Sequence, residues 1–236
     1  MTAPTVVFDL DGTLIDTAPD LIDTLNVVFG REGFPPIPYD AARSLIGGGA
    51  RAMIERRVKA ERFIFPMTKL EQLFVDFIAY YSEHIADHSR PFPGLIDALD
   101  LLAAEGARFA VCTNKLEGLS VKLLEQLGLA ERFAAICGPD TFGVQKPDPD
   151  VLRRTIAAAG GELTSAIMVG DSLTDIRTAR AAGIPVIAVD FGYSDRPVAE
   201  FDPDRVVSSF TNLPATVLEL CGTRENAMAG RRGHPA

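Results

Sequence analysis

The chain predicts an α/β fold: a Rossmann-like parallel sheet core into which a helical lobe is inserted. Three observations carry this. Four apolar runs, at 5–8, 108–112, 165–169 and 185–189, lack the alternation of a half-exposed strand and read as strands covered on both faces. Helical patterns separate the later runs, and strand–helix alternation implies parallel β-α-β units with right-handed crossovers. Residues 16–90 break this rhythm, with helical periodicity and no convincing strand.

Each element follows from its residues. The first strand, Thr5-Val-Val-Phe8, stops at Asp9. Helices are expected at 21–29, 39–45, 50–58 and 70–85, with Phe34-Pro-Pro-Ile-Pro38 as a connector, and Arg90-Pro-Phe-Pro-Gly94 marks the return to alternation. A helix over 94–105 carries Leu95, Leu99, Leu101 and Leu102. A second, over 118–127, carries Leu119, Leu123, Leu124 and Leu127 and stops at Gly128. Helices over 148–159 and 175–182 end at Gly160-Gly161 and Gly183. Arg205-Val-Val207 is a weaker fifth strand. The expected organisation is a catalytic core of residues 1–15 and 91–222 and a helical cap of residues 16–90. The tail, 223–236, is rich in Gly, Arg and Ala without periodicity and is expected to be unstructured.

Of the 236 residues, 47% are hydrophobic and 23% charged, the balance of a globular chain. The net charge of −9, from 23 basic against 32 acidic residues, argues against nucleic acid as a partner. Three scattered cysteines, Cys112, Cys137 and Cys221, make neither a disulfide framework nor a thiolate metal cage, and fit a cytoplasmic location. Asp9 and Asp11 interrupt the N-terminal apolar run, which speaks against a signal peptide, and no stretch of 18 apolar residues exists to span a membrane. The acidity poses a problem: an anionic substrate would need a local arrangement that overcomes the excess negative charge.

Four clusters carry chemistry. Asp9-Leu-Asp11-Gly12-Thr13 ends the first strand; residues two apart share a side, so Asp9 and Asp11 can enter one site while Leu10 faces the core. Thr113-Asn114-Lys115 ends the second strand and offers a hydroxyl, an amide and backbone N–H groups suited to phosphate oxygens. Gly170-Asp171-Ser172 and Asp175 follow the third strand, and Lys146 precedes a helix. Taken singly, each also reads as a turn, a helix cap or a surface lysine. Together they fall where open parallel sheets bind ligands, outside the C-terminal ends of the strands. Asp9, Asp11, Asp171 and Asp175 would then converge on one or two lysines. Such a cluster repels a phosphate unless a divalent cation sits in it, and hard oxygen ligands favour Mg²⁺.

In order, Asp9-Leu-Asp-Gly-Thr13, Thr113, Lys146 and Gly170-Asp171-Ser172-x-x-Asp175 resemble the four motifs of the haloacid dehalogenase superfamily phosphatases, over about residues 4–195. The insertion resembles that family's C1 cap. Asp16-Thr-Ala-Pro-Asp-Leu21, Ile46-Gly-Gly-Gly-Ala-Arg51 and Thr113-Asn-Lys115 are similar to stretches of bacterial phosphoglycolate phosphatases. The resemblance implies that Asp9 is the nucleophile and forms an aspartyl-phosphate, and that Asp11 is the acid and then the base. It implies Mg²⁺ held by Asp9, the Asp11 carbonyl and Asp171. Thr113 would bond a phosphoryl oxygen, Lys146 would neutralise charge, and Asp175, with Ser172, would support Lys146. In the cap, Gly48 and Arg51 are expected near the substrate, although a flexible loop and a surface arginine fit those residues too. Asp16-Thr-Ala18 and Arg90-Pro91 are expected hinges. The implied partner is a small phosphate ester, 2-phosphoglycolate foremost, acted on by a monomer or homodimer without nucleic acid or membrane. A phosphatase for another small phosphate, a sugar phosphomutase and a silent metal- and phosphate-binding regulatory module remain alternatives.

Overall fold

Strand β1 (Thr5–Phe8) is buried along its whole length because a parallel strand flanks it on each side. Its neighbours are β4 (Arg108–Cys112) and β6 (Ala166–Gly170), so Phe8 lies level with Val111 and Val169. Short strands extend the sheet outward: β5 (Ala135–Cys137) beyond β4, then β7 (Val186–Val189) and β8 (Arg205–Val207) beyond β6. The order β5-β4-β1-β6-β7-β8 is parallel throughout. This computed structural model describes residues 3–43, 45–60 and 65–232, with side chains to residue 222.

The two-residue period of β1 divides the core into two layers. Val6 and Phe8 face one side with Leu99, Leu102 and Phe109; Val7 faces the other with Val151, Leu152 and Ile156. Helices α5 (Leu95–Ala104) and α6 (Glu117–Gln126) belong to the first layer. Helices α8 (Pro149–Ala158) and α9 (Leu173–Ala182) cover the second.

The inserted lobe holds α1 (Ala18–Gly30), α2 (Tyr39–Arg43), α3 (Ala50–Ala60) and α4 (Met67–Glu83). The two chain crossings pair with each other: β2 (Ile15–Asp16) runs antiparallel to β3 (Arg90–Pro91), with Asp16 opposite Arg90. Buried Asp20 reinforces this junction by accepting hydrogen bonds from the His88 and Ser89 N–H groups and the Ser89 hydroxyl.

Several elements differ from expectation, the two-residue strands β2 and β3 among them. Strand β5 was not expected: it is as short as β8 but carries one β-branched residue, Ile136, where β8 carries two. A one-turn helix, α7 (Pro139–Phe142), follows it. Helix α10 (Leu213–Arg232) continues through residues 223–232, where the sequence suggested an unstructured tail. Leu213, Val217 and Leu220 dock its first turns in the core, and beyond them Arg, Glu, Ala and Met residues propagate the helix across Gly222 and Gly230. The last part of that tail, 233–236, lies outside the described residues.

Candidate active site

Asp9 follows β1 directly, and its N–H donates to the Val169 carbonyl of β6 at 2.9 Å, which carries the sheet pairing one residue further. The chain then turns at Gly12, whose φ of +81° suits glycine. Its missing side chain also makes room, since a Cβ there would lie 2.5 Å from Asp171 Oδ2 and 2.8 Å from Tyr193 Cδ2. The same turn brings Thr13 to Asp171, with its hydroxyl donating at 3.3 Å.

Ser172 and Asp175 form a capping box at the start of α9. Asp175 Oδ2 accepts from the Ser172 N–H and hydroxyl, at 3.1 and 2.6 Å. Its Oδ1 faces the Lys146 ammonium at 2.6 Å. The helix cap therefore doubles as the lysine's anchor. On its other side Lys146 Nζ lies 2.9 Å from Asp9 Oδ1, which also accepts the Leu10 N–H at 2.7 Å.

Asn114 clamps the backbone of the same lysine: its side-chain NH₂ donates to the Lys146 carbonyl at 3.1 Å, and its oxygen accepts the Lys146 N–H at 3.0 Å. Asn114 lines the cavity as well, so it steadies Lys146 from beside the place where the sequence expects a phosphate contact. Thr113 is buried at the end of β4 and lines the site beside it.

One oxygen from each of Asp9, Asp171 and Asp175 lies within 4.8 Å of the others. Burial, opposed by Lys146, raises the Asp9 pKa to about 6. Asp171 rises to about 8, first through burial and then through repulsion from Asp175 and Asp9. Burial works against the charge on Lys146, but the Asp175 and Asp9 carboxylates outweigh it and push its pKa up. Asp11 lines the same cavity with different partners: Oδ1 accepts the Thr17 hydroxyl at 2.8 Å and meets Lys115 Nζ at 2.5 Å. Four carboxylates thus face two buried lysines, Lys115 and Lys146. An acidic triad of hard oxygens with excess negative charge and raised carboxyl pKa values can hold a cation.

These groups line a cavity of about 420 Å³ between core and cap, within the range of small-molecule sites. Gly47, Gly48 and Gly49 line it from the cap, all with positive φ. A Cβ on Gly49 would sit 2.8 Å from the Asn114 carbonyl, so the cap loop touches the core loop here. Arg51 lines the cavity too, but its guanidinium pairs with Glu71 at 2.9 Å and lies 4.4 Å from the Phe74 ring centre.

Four further residues shape the site. Lys115 was visible in Thr113-Asn114-Lys115, but its partner Asp11 is 104 positions away. Tyr193 donates its N–H to Asp171 Oδ2 at 2.7 Å. Its hydroxyl donates to Asp16 at 2.6 Å and accepts the Ala18 N–H at 2.9 Å, linking a site carboxylate to the cap junction. Arg56 donates to the Leu45 and Gly47 carbonyls, at 2.9 and 2.7 Å, and pins the glycine loop. Tyr81 enters from α4, with Lys115 Nζ 4.8 Å from its ring centre. No local pattern marks the last three.

Comparison with known proteins agrees with this geometry. The family model for haloacid dehalogenase-like hydrolases matches residues 6–189. A phosphoglycolate phosphatase of Mesorhizobium japonicum is 48% identical over 219 residues, covering 93% of this chain and 96% of the relative. That of Agrobacterium fabrum is 45% identical over 227 residues, covering 96% and 97%. The crystal structure of a predicted phosphoglycolate phosphatase from Haemophilus somnus 129PT superposes with a TM-score of 0.83 at 27% identity, covering 90% of this chain and 97% of that one. With the sheet, the strand-end carboxylates and the buried lysine in place, the chain belongs to the haloacid dehalogenase-like hydrolase family and is a hydrolase of the phosphatase kind.

Proposed function

We propose that the protein hydrolyses a small phosphate monoester through an aspartyl-phosphate on Asp9 with Mg²⁺ as cofactor, and that 2-phosphoglycolate is the substrate, giving glycolate and phosphate. The observation that carries the reaction class is the buried Lys146 held between Asp9 and Asp175 at a cavity that also receives Asp171. The substrate is supported by the names of the relatives, which match nearly the whole chain. Mg²⁺ would be held by the Asp9 and Asp171 side chains and the Asp11 carbonyl, where it would neutralise charge on the phosphoryl oxygens.

The Leu10 N–H and Lys146 both bind Asp9 Oδ1, and Oδ2 receives neither. An Asp9 oxygen attacks phosphorus as the bond to the bridging oxygen breaks, and Asp11 gives that oxygen its proton. Thr17 and Lys115 fix the Asp11 carboxyl for this transfer. Asp11 then takes a proton from water as the water attacks phosphorus, which releases phosphate and restores Asp9. Lys146 offsets negative charge on Asp9 and on the transferring group, and Thr113 offers a hydroxyl to a phosphoryl oxygen.

A cytoplasmic enzyme is in keeping with Cys112 and Cys137, which are buried and form no disulfide, and among the described residues no helix is long and apolar enough to cross a membrane. A panel of small phosphate esters, ranked by kcat/KM with and without Mg²⁺, tests this reading. The expected result is Mg²⁺-dependent turnover with 2-phosphoglycolate first. Another ester in first place overturns the substrate, and turnover indifferent to Mg²⁺ overturns the cofactor.

A further inference from the structure

Resting on the substrate reading above, we propose that Lys115 and the Tyr81 hydroxyl read the carboxylate of 2-phosphoglycolate and so set the enzyme's specificity.

The cationic side chains around the cavity differ in what already holds them. Lys146 lies between Asp9 and Asp175. Arg56 donates to carbonyls of its own loop. Arg51, the cap residue the sequence singled out, is paired with Glu71, and its side chain is 46% exposed. Lys115 is different. Its side chain is only 5% exposed, its ammonium has three donors, and it meets one carboxylate, Asp11, with the face of Tyr81 beside it.

The position suits the second anionic group of the substrate. Asp11 is the group proposed to protonate the bridging oxygen. In 2-phosphoglycolate the carboxylate carbon is two bonds from that oxygen. A cation in contact with Asp11 is therefore within reach of the carboxylate when the phosphoryl group sits at Asp9.

Tyr81 supplies an independent observation. It is 1% exposed and lines the same cavity, yet its hydroxyl has no hydrogen-bond partner. A buried hydroxyl left unpaired costs stability, so one kept at a binding cavity is explained if a ligand oxygen completes it. Tyr81 comes from the cap and Lys115 from the core. Reading the carboxylate would then require core and cap to meet, so an ester lacking it would gain less from closure.

The test compares 2-phosphoglycolate with isobutyl phosphate, in which two methyl groups replace the carboxylate oxygens. The ratio of their kcat/KM values is measured for the wild type, Lys115→Met, Lys115→Arg and Tyr81→Phe, alongside the thermal unfolding midpoint of each. Lys115→Met is expected to lower the ratio by roughly 10- to 100-fold, the worth of a charge-assisted contact, mainly through KM for 2-phosphoglycolate. Lys115→Arg is expected to restore part of it. Tyr81→Phe, which keeps shape and fold, is expected to lower the ratio by about 2- to 10-fold. It decides the matter if Lys115→Met does not fold. Equal losses on both esters would overturn the proposal, because Lys115 would then act only by positioning Asp11. A wild type with no preference for 2-phosphoglycolate would overturn the substrate reading itself. A wild type that prefers it, with variants that keep the preference, would overturn this proposal alone.

Discussion

Replacing Lys146 by methionine removes the cation from a pocket built of carboxylates. The ammonium lies 2.9 Å from Asp9 and 2.6 Å from Asp175. At an effective dielectric of about 20, each contact is a gross attraction of about 6 kcal/mol. Desolvation offsets much of this, and breaking a buried pair by removing one partner costs about 3–5 kcal/mol. A chain of this size should then lose roughly 6–20 °C in unfolding midpoint. The loss should depend on pH. Lys146 is one of the influences holding the Asp9 pKa down, so without it Asp9 titrates above about 6. Lowering the pH then protonates the stranded carboxylates and relieves their repulsion. The deficit should be larger at pH 8 than at pH 5. Turnover should fall at least ~10²–10³-fold, the cost of removing one preorganised charge-stabilising group. Calorimetry at the two pH values and steady-state kinetics with saturating Mg²⁺ measure both effects. A variant with near-native kcat, or with the same stability deficit at pH 5 and pH 8, would show that Lys146 does not neutralise these carboxylates.

Other outcomes follow from the same geometry. In metal-free protein, Asp9 and Asp171 bind protons more tightly when folded, with pKa values of about 6 and about 8 against a reference of 3.8. Raised carboxyl values mean that stability falls as pH rises from about 4 to about 8, by a contribution of about 3 kcal/mol for Asp9 alone. Unfolding scans in chelator should show this decline, and added Mg²⁺ should stabilise more at pH 8 than at pH 5. Gly12→Ala puts a methyl group 2.5 Å from Asp171 Oδ2 at a φ of +81°. It should cost about 1–2 kcal/mol in backbone strain and weaken Mg²⁺ activation, as metal titrations of activity would show. Tyr193→Phe removes the partner of the Ala18 N–H and a donor to Asp16. It should cost about 1–3 kcal/mol of stability. Mg²⁺ affinity should change little, since Asp171 is held by the Tyr193 backbone N–H; calorimetry and metal titration separate the two effects.

Groups placed by a strand end were legible in the sequence because short-range rules place them. Asp9, Thr113 and Asp171 each follow a short apolar run that reads as a buried strand, and Ser172 with Asp175 spells a helix cap. Groups placed by the meeting of distant segments were not. Tyr193 acts on Asp16, 177 positions away, and lies in a loop with no periodicity to mark it. Asn114 belongs to a visible cluster, but only the structure shows its amide holding the Lys146 backbone. Arg51 was legible as far as its place, since it lines the cavity beside the glycine loop, but its pairing with Glu71 from the neighbouring helix was not. Strand β5 was missed because Ala135-Ile-Cys137 has a single β-branched residue, against two in the equally short β8, and it is pairing with β4 that holds it.

Covalent catalysis by Asp9 is tested by rapid acid quench of enzyme, Mg²⁺ and 2-phosphoglycolate within one turnover, followed by mapping of the phosphorylated peptide. One phosphoryl group is expected, on Asp9, and none on Asp9→Asn, which should retain its fold and lose turnover. A phosphoryl group on another residue, or near-native turnover by Asp9→Asn, would contradict covalent catalysis by Asp9.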